Sequence, residues 1–451
     1  MRKGIALLVL GLIFSIPAFA QNTQETPGGE KISLQEAIDI ALENNYQVKV
    51  AKNNVALSGK QVLSEKADYL PSVNANMSGS KSIGRNFSQD LGQIVTQTTN
   101  SFGGRVSADL PIFSGFENLN SLKSSQFSEK SEKETLESVR EEIIFTTVNN
   151  YLQFILAQKV LEIDRENLAT SRKTLEQVKA QVEVGSRPRV DLYDQESQVA
   201  SDELAVVNSE NQVQSSRLTL IQTLQIDPRK EYNFATPEID TQSVRATSYD
   251  LDQLVSTALE NRSDLKSEEF NIQSIKHQLN ATKASLYPSL SLSASVGSRY
   301  SDGIPVNFQD QFFDQNIQQS YGLSLSIPIF SNLSIRTSVQ SQQIQYKNAK
   351  LNLQNLELQV IQDVNSALND YKSYVKQLES SEKALQAAER AYETQKQRYE
   401  VGAGTLIELS EANARYVEAQ SSRAQALFRV IFQQQILEYY IGKLDQNVSL
   451  N

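Results

Sequence analysis

Ala41-Leu42-Glu43-Asn44 returns as Ala258-Leu259-Glu260-Asn261, and Pro71-Ser72 returns as Pro288-Ser289. Pro111-Ile112-Phe113-Ser114 returns as Pro328-Ile329-Phe330-Ser331, and Glu183-Val184-Gly185 as Glu400-Val401-Gly402. Every pair is 217 positions apart. Four anchors at one interval, with no insertion between them, read as an internal tandem repeat. Repeat 1 covers 32–228 and repeat 2 covers 249–445, joined by a linker or equatorial segment over 229–248. Any fold for this chain must therefore build one unit twice.

Within each unit, a helix (Leu34–Leu70; Asp250–Tyr287) runs into a proline, and two short alternating segments follow. Then come 69 residues without Gly or Pro, from Phe116 to Val184 and from Leu333 to Val401. These predict helices over 115–184 and 332–401, each about 100 Å long at 1.5 Å per residue. Gly185 and Gly402 stand where a helix-ending glycine belongs. Return helices are expected over 188–227 and 405–442. Leu161, Leu168, Leu175 and Val182 recur every seven residues, in phase with Leu378, Leu385, Tyr392 and Tyr399. A heptad stripe on an otherwise polar helix is a seam for partner helices. Globular helices average about 11–12 residues, so these lengths point to exposed coiled coil.

The alternating segments form two predicted β-hairpins, 72–112 and 289–329. Leu290, Leu292, Ala294 and Val296 alternate with serines, as do Tyr321, Leu323, Leu325 and Ile327 with Gly322, Ser324 and Ser326. One apolar face and one Ser-rich face over about ten residues is the pattern of an outer-membrane barrel strand. A hairpin packed on a globular core has the same pattern. Four strands are too few to close a barrel, since the smallest single-chain barrels use eight. An open sheet in lipid would leave edge N–H and C=O groups unmet, at several kcal/mol each. Strands in a membrane therefore require several chains to close one barrel. Pro71, Pro111, Pro288 and Pro328 mark the four strand–helix junctions, where each ladder can stop. Tyr69, Tyr287, Phe113 and Phe330 lie beside them, as an interfacial girdle or as junction packing. The polar stretches 84–101 and 301–319 are the expected outward loops.

Composition closes off other classes. The chain has no Cys and one His, His277, which removes thiolate sites, lipidated Cys and multi-His metal centres. No catalytic group, cofactor site or metal cluster converges, and carboxylate pairs such as Glu141-Glu142 and Glu268-Glu269 read as solvated helix faces. Asp and Glu number 53 against 43 Lys and Arg, which argues against a nucleic-acid partner. Met1–Ala20 reads as a signal peptide: basic Arg2 and Lys3, an apolar stretch, then Ala18-x-Ala20. The tails 21–31 and 446–451 flank the repeats. An alternative reading is a periplasmic coiled-coil structural or adaptor protein with the hairpins as soluble tips.

The ordered set of helix, hairpin, long helix and return helix, with junctions Leu110–Gly115 and Ile327–Asn332, resembles the TolC family of outer-membrane efflux proteins. The resemblance implies a mixed α and β membrane protein: a homotrimer whose chains each give four strands to a shared 12-stranded barrel. Its coiled-coil helices would form a periplasmic α-barrel. It implies a passive, non-enzymatic exit duct of tripartite efflux or type I secretion in the outer membrane of a Gram-negative cell, in contact with outer-membrane lipid. A periplasmic adaptor (membrane fusion) protein and an inner-membrane pump would be its partners. The family's tunnel-tip residues fall on Glu408 and Glu411 as acidic rings that could bind cations, with Asp191 and Asp194 in the first copy. The gate tyrosine falls on Tyr399 and the gate aspartate on Asp191, beside the turns at Gly185 and Gly402. The family's gate arginine is Gly404 here, and Arg187 and Arg189 are the candidate substitutes. Thr405 with Glu408 also forms a capping-box pattern, so Glu408 reads as cap or as ring.

Overall fold

The computed structural model describes residues 31–88, 92–236 and 249–444. The expected signal peptide, nearly all of tail 21–31, part of the linker (237–248) and tail 446–451 lie outside the described residues.

Repeat 1 begins with β1 (Lys31–Ile32), then α1 (Leu34–Asn44), α2 (Tyr46–Ala67), β2 (Ser72–Ser88), β3 (Gln93–Ser114), α3 (Glu117–Glu183) and α4 (Arg189–Leu224). β4 (Asn233–Phe234) follows, inside the expected linker, and pairs in parallel with β1. Repeat 2 contains α5 (Leu251–Asn261), α6 (Ser263–Ala284), β5 (Ser289–Ser301), β6 (Gln318–Ser326), α7 (Ser334–Glu400) and α8 (Leu406–Tyr440). Equivalent helices match in length: 11 residues for α1 and α5, 22 for α2 and α6, 67 for α3 and α7. Each long helix ends one or two residues inside the sequence-predicted limits.

The helix expected as one piece over 34–70 is two. Ser33 starts α1 with a full capping box, its N–H donating to Glu36 Oε2 at 2.7 Å. At Asn45 the backbone turns out of helix (ψ 130), and the Asn45 side chain accepts from Gln47 N–H at 2.8 Å to start α2. The helix expected over 250–287 breaks in the same way at Arg262 (ψ 125). Its guanidinium pairs with Asp264 at 2.6 Å. Neither break involves Gly or Pro. In repeat 1 the Asn45 side chain caps one of the N–H groups that the break frees.

The strands form one antiparallel sheet in the order β2-β3-β5-β6. Two expectations need correction. The stretch 84–101 is mostly strand, because β2 and β3 pair continuously out to Ser88 and Gln93. Pro111 does not stop its ladder. It pairs opposite Ser291, the register slips between Pro111 and Phe113, and pairing resumes through Ser114 opposite Ser289. A bulge absorbs the missing proline N–H. β6 does stop short, at Ser326, before Pro328.

Register sorts the side chains cleanly. Met77, Val106, Ala108, Leu110, Leu292, Val296 and Leu323 fall on one face. Asn76, Ser107, Arg105, Ser293, Ser295 and Ser324 fall on the other. The apolar face is largely uncovered within this chain, with Met77 79% and Leu323 66% exposed. Among the described residues β2 and β6 each pair on one side only, so both sheet edges are open.

The main core lies at mid-height of the long helices, where α1, α5 and the ends of α4 and α8 pack on α3 and α7. Tyr151, Leu220, Ile221, Val360, Val364, Leu368, Val430 and Leu437 are fully or almost fully buried there. Tyr151 also ties in the β1–β4 pair, its hydroxyl donating to Ile32 O (2.9 Å) and Ala235 O (2.5 Å). Burial pushes that hydroxyl up to about 12. No helix among the described residues is long and apolar enough to cross a membrane.

Candidate functional site

The long helices end far from the sheet, in two tight turns that sit side by side. Gly185 (φ 76) and Gly402 (φ 77) take the left-handed conformation, and nothing crowds the position a Cβ would occupy. Backbone bonds close each turn: Ser186 N–H donates to Gln181 O (2.9 Å), and Ala403 N–H to Arg398 O (2.7 Å). These are Schellman-type closures, for which glycine is needed by conformation alone. Gly404 differs. A Cβ there would stand 3.3 Å from both Arg398 Cβ and Tyr399 N, so the turn folds tightly against the end of α7. That contact disfavours the arginine expected at this position from the family pattern.

Arg187 supplies a cation from the facing turn. Its guanidinium lies 4.3 Å above the Tyr399 ring centre, and its Nη1 stands 3.2 Å from Asp191 Oδ2. Both ionic side chains are about four-fifths shielded, at 18% and 21% exposure. Tyr399 is buried among Val178, Leu406 and Leu409, with Val182, Leu192 and Tyr392 around them. Its hydroxyl is buried without a hydrogen-bond partner, and burial raises its pKa. The Tyr399–Arg187–Asp191 group therefore joins α7 to the start of α4, linking the two repeats within one chain. Arg189, the other candidate, is exposed at the first position of α4.

The four expected acids separate. Glu408 completes a capping box: Thr405 N–H donates to Glu408 Oε2 (3.0 Å), and Glu408 N–H to Thr405 Oγ1 (3.2 Å). The backbone donor holds its carboxyl below the usual range. Glu411 is exposed and pairs with Arg415 at 3.3 Å. Asp191, Asp194 and Glu411 line a common groove between the first turns of α4 and α8, along with Arg187, Gln198 and Ser410, whereas Glu408 lies outside it.

Sequence reasoning missed the polar seam above the tip. Gln195, Asp202, Ser209 and Ser216 are spaced by seven on α4, and all are buried against α3. Ser171 donates to Asp202, and Gln198 Nε2 donates to the other Asp202 oxygen at 3.0 Å. Ser209 donates to Asp164, and Gln195 Nε2 to Ser171 O at 3.0 Å. The corresponding α8 positions are Ala412, Ala419, Ala426 and Gln433. Spacing alone could have found this stripe, had polar heptads been counted alongside apolar ones. No group of three or more His, Asp or Glu residues among those described is arranged to hold a metal.

Residues 37–224 and 254–443 match the outer membrane efflux protein family, and the two matched stretches begin 217 residues apart. The chain is 23% identical to nodulation protein T of Rhizobium leguminosarum bv. viciae over 397 residues, which is 88% of this chain and 79% of that protein. It is 20% identical to the outer membrane efflux protein BepC of Brucella suis over 331 residues, covering 73% of this chain and 67% of that protein. A crystal structure of CusC, from work on transmembrane channel formation, superposes with a TM-score of 0.78 at 17% identity, covering 91% of this chain and 92% of that one.

Proposed function

The chain belongs to the outer membrane efflux protein family, and from that membership we propose that three copies assemble into one exit duct through the outer membrane. One observation carries the reading. A four-stranded sheet with one Ser-rich face, one exposed apolar face and two open edges cannot sit alone in lipid or in water. Joining β6 of one copy to β2 of the next, three times over, gives twelve strands and no edge. The Ser-rich face, with Arg105 and Arg299, would line a wet lumen, and the apolar face would meet lipid. Tyr69, Tyr287, Phe113 and Phe330, all exposed here, would ring the barrel's periplasmic end. The helices would continue the duct into the periplasm, to be met there by an adaptor protein coupled to an inner-membrane pump.

The duct does no covalent chemistry. The tip group Tyr399–Arg187–Asp191 holds the two helical hairpins of each chain together, which corresponds to the closed state. Opening consists of parting that group while the hairpins repack, a change between two packings rather than a continuous deformation. The groove acids Asp191, Asp194 and Glu411, repeated by three-fold symmetry, would favour cations at a narrow mouth. Glu408 contributes mainly as a helix cap.

The test is oligomeric state and conductance. The purified protein in detergent is expected to run as a heat-sensitive three-chain species and to form ion-conducting pores in planar bilayers. A monomer that leaves washed membranes and conducts nothing would overturn the reading.

A further inference from the structure

The segment between β5 and β6, expected to be a plain loop, is instead a built element. Asn307 caps a helical turn over Phe308–Asp310, which continues as a π-helical turn over Gln311–Gln315. Gln311 is 1% exposed and acts as its pin. Its Oε1 accepts from Ser301 N–H (3.0 Å), and its Nε2 donates to Ser301 O (3.0 Å) and Val306 O (2.6 Å). Asn316 adds a bond to Arg299 O at 2.6 Å. The turn is thereby fixed to the top of β5.

This pinning points aromatic rings at one face of the sheet. Phe312 stacks on Phe308 with centres 5.2 Å apart, and it packs on Phe102 of β3 at 5.4 Å. Phe308 meets Tyr300 of β5 edge-on at 5.1 Å. Phe312 lies over Gly104, where a Cβ would be 3.2 Å from its Cζ. Register puts Gly104 on the face of Met77, Val106 and Leu110, so the rings lie on the apolar outer face and not in the Ser-rich lumen. Phe313 packs against Phe312 at 5.2 Å yet stays 64% exposed, and Phe308 is 41% exposed. Across the bulge, Phe102 is ten ladder steps above Phe113, opposite Tyr300 and Leu290 of β5. That is about 34 Å along the strand, or about 26 Å along the barrel axis at a tilt of about 40°. An outer-membrane apolar band is about 25 Å tall between its aromatic girdles. The element therefore stands at the height of the outer interface.

We propose that Phe308, Phe312 and Phe313, carried on the turn pinned by Gln311, form a lipid clasp that seats each copy of the chain at the outer headgroup boundary. The proposal rests on the outer-membrane channel reading, and it adds a binding surface whose occupant is the outer leaflet. Continuity argues for that occupant. The rings extend the lipid-facing side of β3 and β5 upward, and the amphipathic boundary is where exposed aromatic rings are stabilised. The ring cluster sits over the middle of the four-stranded sheet, away from the β2 and β6 edges where another copy would join.

The sequence contains no Trp, so one introduced indole reports alone. Phe313→Trp would be reconstituted as full-length assembled channel in phosphatidylcholine vesicles carrying bromine either near the headgroup or deep in the acyl chain. Tyr321→Trp, near mid-height of the lipid face opposite Ala294, and Ser291→Trp on the lumen face serve as references. The clasp predicts that the shallow label quenches Phe313→Trp about twofold more than the deep label does, with blue-shifted emission. Tyr321→Trp should show the reverse preference, and Ser291→Trp should respond only to aqueous iodide. Should Phe313→Trp answer to iodide alone, or more to the deep label, while Tyr321→Trp behaves as expected, the clasp is wrong and the channel reading stands. Should Tyr321→Trp escape both lipid labels, the membrane reading itself fails. Phe308→Trp repeats the measurement if Phe313→Trp does not assemble, with the same outcomes deciding.

Discussion

Replacing Arg187 with Ala tests the tip latch directly. Arg187 is only 18% exposed, so its contact with the Tyr399 ring lies between the exposed and desolvated limits for a cation over an aromatic face, about 1–2 kcal/mol. The partly shielded pair with Asp191 adds about 0.5 kcal/mol. About 2 kcal/mol per chain is lost. If three chains part together, the closed state loses about 6 kcal/mol, enough to move a two-state equilibrium by a factor of about 10⁴. In planar bilayers Arg187→Ala is therefore expected to convert rare, small openings into frequent, large ones. Arg187→Lys keeps the charge near Asp191 but loses the planar stack, and should give an intermediate effect. Tyr399→Phe keeps the ring, and the hydroxyl it removes has no partner, so it should conduct like the parent. Unchanged conductance in Arg187→Ala, or Tyr399→Phe opening as far as Arg187→Ala, refutes a latch built on the ring face.

Four further outcomes follow from local geometry. Gly402→Ala, with φ at 77 and open space around the Cβ, should lose about 1–2 kcal/mol from backbone strain alone and speed hydrogen exchange at the tip, while Gly402→Asn should be milder. Tyr151→Phe removes the hydroxyl shared by the Ile32 and Ala235 carbonyls; Ile32 O keeps Ala235 N–H, and the loss at Ala235 O should cost about 1–3 kcal/mol, read as a lower melting temperature. Burial raises the Glu438 carboxyl, so its ionisation opposes folding above that raised pKa. Glu438→Gln should thus melt higher at neutral pH, with the gain fading as pH falls toward the ordinary carboxylate value. Glu411→Gln should lower cation preference in reversal-potential measurements, whereas Glu408→Gln, which still serves the cap at its third position, should change it little.

The long helices were legible because their cause is local. A stretch with no Gly or Pro has nothing to stop it, and the glycines that end it have no competing role. The sheet faces were legible for the same reason, since alternation of Ser with Leu, Val and Ala fixes which side is wet. The breaks at Asn45 and Arg262 were not. Neither is a strong stop signal, and the tertiary setting decides them: Asn45 Nδ2 also reaches Thr223 O on α4. Pro111 misled for a related reason, because a bulge opposite β5 lets the ladder continue around it. At the tip, the turn glycines, Tyr399 and Asp191 could be placed by position. The contact of Arg187 with the Tyr399 ring could not, because it depends on how two turns 217 residues apart in sequence are set side by side.

On the proposed duct reading, the seams of the two hairpins assign the motion to the tip rather than the middle. At mid-height the long helices bury Leu, Ile, Val and aromatic side chains from α1, α5 and both return helices, and closely packed interiors of that kind transmit strain instead of absorbing it. Below that level α3 and α4 meet through Gln195, Asp202, Ser209 and Ser216, alternating with Val199, Val206 and Val213. Polar residues at seam positions fix helix register at a cost in stability. Asp202 is held within α4 by Gln198 and across the seam by Ser171 of α3, so a sliding helix would take the Ser171 donor from a buried carboxyl. The α7–α8 hairpin has Ala412, Ala419 and Ala426 at the matching places nearer the tip, and Gln433 at the fourth, whose Nε2 donates to Ala367 O at 3.0 Å near the core. Toward the tip one hairpin is therefore keyed by polar side chains and the other packs through alanine, and the two are tied by Arg187 on the Tyr399 ring and by Asn413 Nδ2 donating to Asn167 Oδ1 at 2.8 Å. On the proposed duct reading, parting those ties would let the alanine seam slip or rotate while the polar seam keeps α4 in step with α3. The hairpin of repeat 2 would then move against that of repeat 1.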